Sequence, residues 1–150
     1  MGIKEKVSKD VTDALKAGDK ARLSALRMLL SALKNKEIEL RPIPMTDEDS
    51  MQVVQTLIRQ RNESIVQFRA GGRLDLATKE EEEIKVLKAY LPEQISGEEL
   101  KALIKRIAGE IKASGMKDMG RLMKEVMPRV KGRAEGKLIN DIVKDILSRG

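Results

Sequence analysis

A dense set of lysines and arginines between positions 117 and 137 is the part of this sequence best suited to chemistry. Seven basic residues stand there against three acidic ones, Asp118, Glu125 and Glu135. Ammonium and guanidinium groups on a helix and an adjacent loop suit a phosphate backbone, because each contact releases a condensed counterion. The predicted RNA-binding residues are Lys117, Arg121, Lys124, Arg129, Lys131, Arg133 and Lys137.

The spacing of these residues predicts a helix followed by a turn. The first three are separated by four and three positions, so we expect them to share one helix face. The next three follow Pro128 and surround Gly132, which is typical of a turn. Gly132 and Gly136 stand four apart, a spacing that allows either a turn or close helix approach. An ordinary solvated face explains the charge alone equally well.

The composition excludes most catalytic chemistry. The chain has no His, Cys or Trp, and only one Tyr and one Phe. It therefore lacks the usual general base near neutral pH, any thiolate and ordinary zinc ligands. Platforms of several aromatic rings for base stacking are excluded as well. With no nucleophile–base pair visible, we predict no catalytic residue, no cofactor and no metal.

Three further features favour structural roles. The glutamates at 80–83 lack a His partner and point in different directions on a helix, so they indicate a solvated helix start more than a metal site. Arg61 continues an apolar stripe, so it snorkels or is paired. Met residues at 116, 119, 123 and 127 share a helix face, where core filling is favoured over an adaptable partner surface.

The apolar periodicity predicts an all-α fold. Stripes at helical spacing recur along the chain, and no strand-like alternation competes with them. Asp19, Thr46 and Ser96 are suited to cap helices. The segment from Pro92 to Ser96 is the one candidate linker. We therefore expect an N-terminal helical unit of about four helices, residues 1–92, joined to a small three-helix unit, residues 93–150.

The lack of long apolar segments bears on where in the cell the protein is found. No apolar stretch is long enough to span a membrane, and the first ten residues, MGIKEKVSKD, lack the apolar core of a secretory signal. These observations favour a cytoplasmic protein that does not contact membranes.

Three strings resemble the YqeY-like family, whose domain is also called GatB/YqeY. They are RLSALRM at 22–28, LKAYLPEQ at 87–94 and MPRVKGRAEGKLIN at 127–140. The C-terminal half also resembles the tail domain of GatB, the B subunit of the tRNA-dependent amidotransferase. In that enzyme the tail helps to hold tRNA while the chemistry takes place elsewhere. The resemblance thus implies contact with tRNA or RNA by the seven basic residues above.

Three functions follow as hypotheses. The leading one is a non-catalytic accessory protein that binds tRNA or structured RNA. The alternative is a protein-interaction module that docks on an aminoacyl-tRNA synthetase or amidotransferase. The third is a carbon–nitrogen ligase, which the family relationship suggests and which no visible catalytic constellation supports.

Overall fold

The fold is built of helices and connecting turns within residues 2–149, the part of the chain that the computed structural model describes. Contacts divide it into two compact units, one ending at Pro92 and one beginning at Glu93. The all-α prediction is confirmed, and the described residues contain no strand. The helices of the first unit are α1 Ile3–Ala17, α2 Lys20–Leu40, α3 Asp47–Ala70 and α4 Leu74–Lys88. Those of the second are α5 Gly97–Glu110, a 3-10 turn Met116–Asp118, α6 Met119–Val130 and α7 Gly136–Arg149.

Three helices, α2, α3 and α5, begin at the side-chain caps that the sequence predicted. The Asp19 carboxylate accepts from the Arg22 amide at the start of α2. Thr46 and Asp49 form a reciprocal capping box at the start of α3. Ser96 accepts from an amide of the first turn of α5. Each cap satisfies amides that the helix itself leaves without partners.

The core of the N-terminal unit is a cluster of buried side chains from all four helices and from Tyr90, which follows α4. Leu26, Leu29 and Leu33 give α2 a fully buried stripe. A smaller cluster joins α3 and α4. The buried members of the main cluster are Val7, Ala14, Leu26, Leu29, Leu33, Val54, Leu87 and Tyr90.

One arginine is buried beside this core. Arg61 is 5% exposed, and its Nε donates to the Glu83 carboxylate at 2.8 Å. Glu80 lies 3.7 Å from the same nitrogen, and the Leu57 carbonyl accepts from the guanidinium. The prediction that Arg61 is paired is confirmed. The glutamates at 80–83 do not form the solvated start of a helix, since α4 begins at Leu74 and Glu80 and Glu83 pair with Arg61 from its middle.

Tyr90 links α1 to the end of the N-terminal unit. It is 8% exposed, and its hydroxyl donates to the Asp10 carboxylate at 2.5 Å. Burial and, secondarily, this hydrogen bond raise the pKa of Tyr90 well above its usual value of 10.0.

Because Tyr90 is the one tyrosine, its ionisation can be followed directly by ultraviolet absorbance. We expect a midpoint above pH 10.0, and a lower midpoint in Asp10→Asn. The folded pKa exceeds the unfolded one, so the stability that Tyr90 contributes is complete below pH 10.0 and is lost as the pH rises further. An ordinary tyrosine midpoint in the folded chain would contradict the buried hydrogen bond.

The C-terminal unit has its own core. Three helices each contribute a buried stripe, and Met119, Met123 and Met127 pack beside it, partly buried. This packing agrees with the core-filling interpretation of these methionines, whereas Met116 is 48% exposed. The buried stripes consist of Leu100, Ile104 and Ile107 from α5, Leu122, Val126 and Val130 from α6, and Ile139, Val143 and Leu147 from α7.

Candidate nucleic-acid interface

Helix α6 carries the first part of the predicted interface. Leu122 and Val126 face the core, and Arg121 and Lys124 lie exposed on the opposite side. Lys117 does not share this helix, because residues 116–118 form a 3-10 turn whose Asp118 amide bonds to the Gly115 carbonyl. The prediction that Lys117 shares a helix face with Arg121 and Lys124 is therefore wrong, since α6 begins at Met119 and continues through Pro128 to Val130.

Arg121 closes the end of α5. Its guanidinium donates to the carbonyl of Ile111 at 2.6 Å and to that of Lys112 at 3.5 Å. The Lys112 backbone is left-handed, with φ 55°, where the chain leaves the helix. A cation at these carbonyls complements the negative end of the helix dipole. Arg121 therefore holds α6 against the end of α5, which leaves fewer of its donors for a ligand.

Asp118 shapes the same corner. Its carboxylate accepts from the Ser114 amide at 2.7 Å, and Arg121 lies 3.5 Å away. The Ser114 amide, followed by the charges of Arg121 and Lys117, holds the pKa of Asp118 below its usual value. Lys117 thus faces a carboxylate that stays ionised at neutral pH.

Arg133 fastens the turn after α6 to the segment before α5. Its Nε donates to the Glu93 carbonyl at 3.0 Å and its Nη1 to the Arg129 carbonyl at 3.3 Å. The Gln94 amide side chain donates to the Gly132 carbonyl at 2.8 Å, and the Ile95 amide donates to the Arg133 carbonyl at 2.9 Å. We call residues 93–95, bonded in this way, the strap.

The strap is a feature that the sequence argument missed. The sequence predicts residues 92–96 as a linker at the start of the unit 93–150, yet residues 93–95 are hydrogen-bonded to the turn after α6. No local signal reveals this, because the partners lie about 40 positions further along the chain. The strap fixes the turn that carries Lys131 and Arg133, whereas Arg129, predicted on the same turn, lies in the last turn of α6.

The two glycines that flank this turn have different roles. Gly132 is buried and has φ 75°, a left-handed conformation that disfavours any residue with a Cβ. Gly136 is exposed at the start of α7, with open space where a Cβ would lie. The turn thus requires glycine at 132, and no close helix approach requires it at 136.

Gly132→Ala is therefore expected to destabilise the C-terminal unit by about 1–2 kcal/mol. Gly136→Ala is the matched control and should be neutral or stabilising by up to about 1 kcal/mol. Urea unfolding followed by circular dichroism measures both. Equal destabilisation by the two alanines would show that the left-handed turn is not the cause.

The remaining predicted cations are available to a ligand. Lys124, Arg129 and Lys137 are exposed, and within residues 2–149 none of their side chains has an ion pair or hydrogen bond. We call these three the open cations. Lys131 is exposed too but has an interaction partner. All seven predicted residues thus belong to the C-terminal unit. Arg121 and Arg133 bind backbone carbonyls, whereas the open cations have no partner within residues 2–149.

The described residues contain neither a candidate metal site nor a candidate membrane span. No group of His, Cys, Asp or Glu among them could hold a metal ion. No described helix is both long and apolar enough to cross a membrane. In this part of the chain the polar surface is built mainly of ordinary ion pairs and exposed cations.

The protein belongs to the all-α class and has two compact units. The second unit carries exposed basic side chains near the turn at Gly132. The YqeY-like protein family matches residues 4–147. The chain belongs to the YqeY-like family.

The chain is similar to several fungal proteins. The chain is 32% identical to "Altered inheritance of mitochondria protein 41, mitochondrial" of Saccharomyces cerevisiae strain YJM789, over 90% of this chain and 78% of that protein. It is 38% identical to the protein of the same name from Candida glabrata, over 58% and 48% respectively. An uncharacterized Schizosaccharomyces pombe protein is 37% identical over 60% and 72%. The matched part thus covers only about half of some relatives.

The expected cytoplasmic location is contradicted by these comparisons. The relatives that match over most of this chain are named as mitochondrial proteins. The missing apolar core in the first ten residues is evidence about secretory signals alone. Mitochondrial presequences are instead amphipathic and rich in arginine, so the absence of an apolar core does not distinguish them.

Proposed function

We propose that this protein binds tRNA or another structured RNA through its C-terminal unit, without catalysing a reaction. The observation that carries the proposal is that three cations of this unit, Lys124, Arg129 and Lys137, are exposed and have no side-chain ion pair or hydrogen bond within residues 2–149. Cations without a protein partner have their charge available to a phosphate backbone, and each contact releases a counterion.

The mode of recognition follows from what the C-terminal unit lacks. Residues 93–150 contain no Phe, Tyr or Trp, so bases cannot stack on aromatic rings there. Contacts to phosphates and to the overall shape of a folded RNA need no such rings. The resemblance of this half to the amidotransferase tail domain supports tRNA as the first RNA to test.

Binding of the pure protein to total tRNA over a salt series tests the proposal. We expect the logarithm of the association constant to fall linearly with the logarithm of salt concentration, with a slope magnitude of about 2 or more. Sequencing of the recovered RNA identifies the ligand. Absence of retained RNA at low salt would overturn the proposal.

A second candidate is a protein-docking role for the N-terminal unit, with an aminoacyl-tRNA synthetase or amidotransferase as the proposed partner. It is supported by large apolar side chains that lie exposed in that unit, because their burial against a partner would remove apolar surface from water. They are Leu15, Met28, Ile38, Ile43, Val66 and Leu74. A crosslinking experiment that recovers RNA and no protein would count against it.

A further inference from the structure

The N-terminal unit has a cleft that the proposed RNA function does not use. It has a volume of about 300 Å³ and lies where α1, α2 and the end of α4 meet. The strings at 22–28 and 87–94, which carry the family resemblance, come together there through Arg22 and Tyr90. Its lining residues are Lys6, Asp10, Arg22, Glu82, Lys85, Val86, Ala89 and Tyr90.

Arg22 is the unusual group of this cleft. It is partly buried, yet within residues 2–149 its guanidinium has no hydrogen bond or ion pair. By contrast, the other arginine that lies deep in this unit, Arg61, bonds to Glu83. None of the buried side-chain nitrogens among the described residues is left unbonded, so the donors of Arg22 remain open to solvent in the cleft.

The neighbouring charges are mostly engaged with one another. Asp10 accepts from the Tyr90 hydroxyl, and Glu82 accepts from Lys85 at 3.2 Å. The Lys6 ammonium lies 5.7 Å from the centre of the Tyr90 ring. Three cations and two carboxylates line the cleft, which leaves one positive charge in excess.

We propose that this cleft binds a small, singly charged oxyanion, with Arg22 as its two-pronged donor and Lys6 as a second cation. A guanidinium presents two parallel N–H groups that match a pair of oxygens sharing one negative charge. Carboxylates and phosphate diesters both offer such a pair. One negative charge also neutralises the excess of the cleft, whereas a second would meet Asp10 and Glu82.

The single tyrosine gives a direct assay. Tyr90 lines the cleft and the chain has no Trp, so intrinsic fluorescence reports on this site. We would titrate the full chain with acetate and with dimethyl phosphate, using chloride at equal ionic strength as the reference. A saturable change with acetate identifies a carboxylate site, and one with dimethyl phosphate a phosphate-diester site. No saturable change beyond chloride with either probe overturns the proposal.

Variants of two arginines on the same helix locate the binding. Arg22→Gln should weaken the binding at least tenfold, and Arg22→Lys should also weaken it, because lysine keeps the charge and loses the fork. Arg27→Gln is the matched control, since Arg27 is exposed on α2 and outside the cleft. Equal weakening by Arg27→Gln and Arg22→Gln would overturn the site.

A second residue guards against a folding defect. Circular dichroism checks that Arg22→Gln keeps its helices. If it does not, Lys6→Gln decides: weakened oxyanion binding supports the site, and unchanged binding contradicts it. RNA plays no part in this assay, so its outcome is independent of the C-terminal interface.

Discussion

Arg61→Ala should destabilise the N-terminal unit by about 3–5 kcal/mol, because it leaves the partly buried carboxylates of Glu83 and Glu80 without their cation. The side chains of Arg61 and Glu83 are only 6% and 14% exposed. Removal of one member of a buried pair costs far more than the pair contributes, since the remaining charge stays desolvated. Urea unfolding monitored by Tyr90 fluorescence measures the loss in this unit.

Arg69→Ala is the matched control for this substitution. Arg69 also pairs with a glutamate of α4, Glu81, but both side chains are well exposed. Its loss should cost less than about 1 kcal/mol. Equal costs for the two alanines would show that Arg61 is not a buried structural ion. Adding Glu83→Gln to Arg61→Ala should recover part of the loss, because it removes the stranded charge.

The second large effect concerns RNA. Replacement of Lys124, Arg129 and Lys137 together by glutamine should lower the salt slope of tRNA binding by about 2–3, as expected for three lost phosphate contacts. At about 0.1 M salt the affinity should fall by about 100-fold. The fold should be little affected, because these side chains are exposed and make no ion pair within the described chain.

The control for the triple variant removes the same charge elsewhere. Lys9, Lys20 and Arg27 are exposed on the N-terminal helices, and glutamine at all three leaves the C-terminal surface intact. This variant should bind tRNA with an affinity within a few-fold of the wild type. If both triple variants lose affinity equally, the binding depends on net charge and not on the open cations.

Local features of the fold could be predicted from the sequence. The caps at Asp19, Thr46 and Ser96 depend on a side chain and an amide three positions away, and the structure contains all three. The apolar stripes likewise report burial on one helix face. Such features depend only on residues close in sequence, so they can be predicted without the tertiary structure.

The roles of the basic residues could not be predicted in the same way. Arg121 and Arg133 have the same residue type as Arg129, and only tertiary contacts separate them. Arg121 binds carbonyls ten and nine positions away, and Arg133 binds one 40 positions away. Charge counting therefore overestimates the number of cations that a ligand can use, although it locates the unit that carries them.

The cleft beside Tyr90 was missed for a related reason. Lys6 comes from α1 and Arg22 from α2, and the sequence does not show how these two amphipathic helices pack together. Lys6 and Arg22 stand 16 positions apart, so no local charge pattern brings them together. The meeting of two family strings at one place becomes visible only when the helices pack.

Mapping of amide chemical shifts on addition of tRNA to the isotope-labelled full chain tests the central claim most directly. The account predicts that the perturbed amides lie between 117 and 137, above all near Lys124, Arg129 and Lys137, while those of α1 to α4 stay unchanged. Perturbation confined to the N-terminal helices, or no perturbation at low salt, would contradict it.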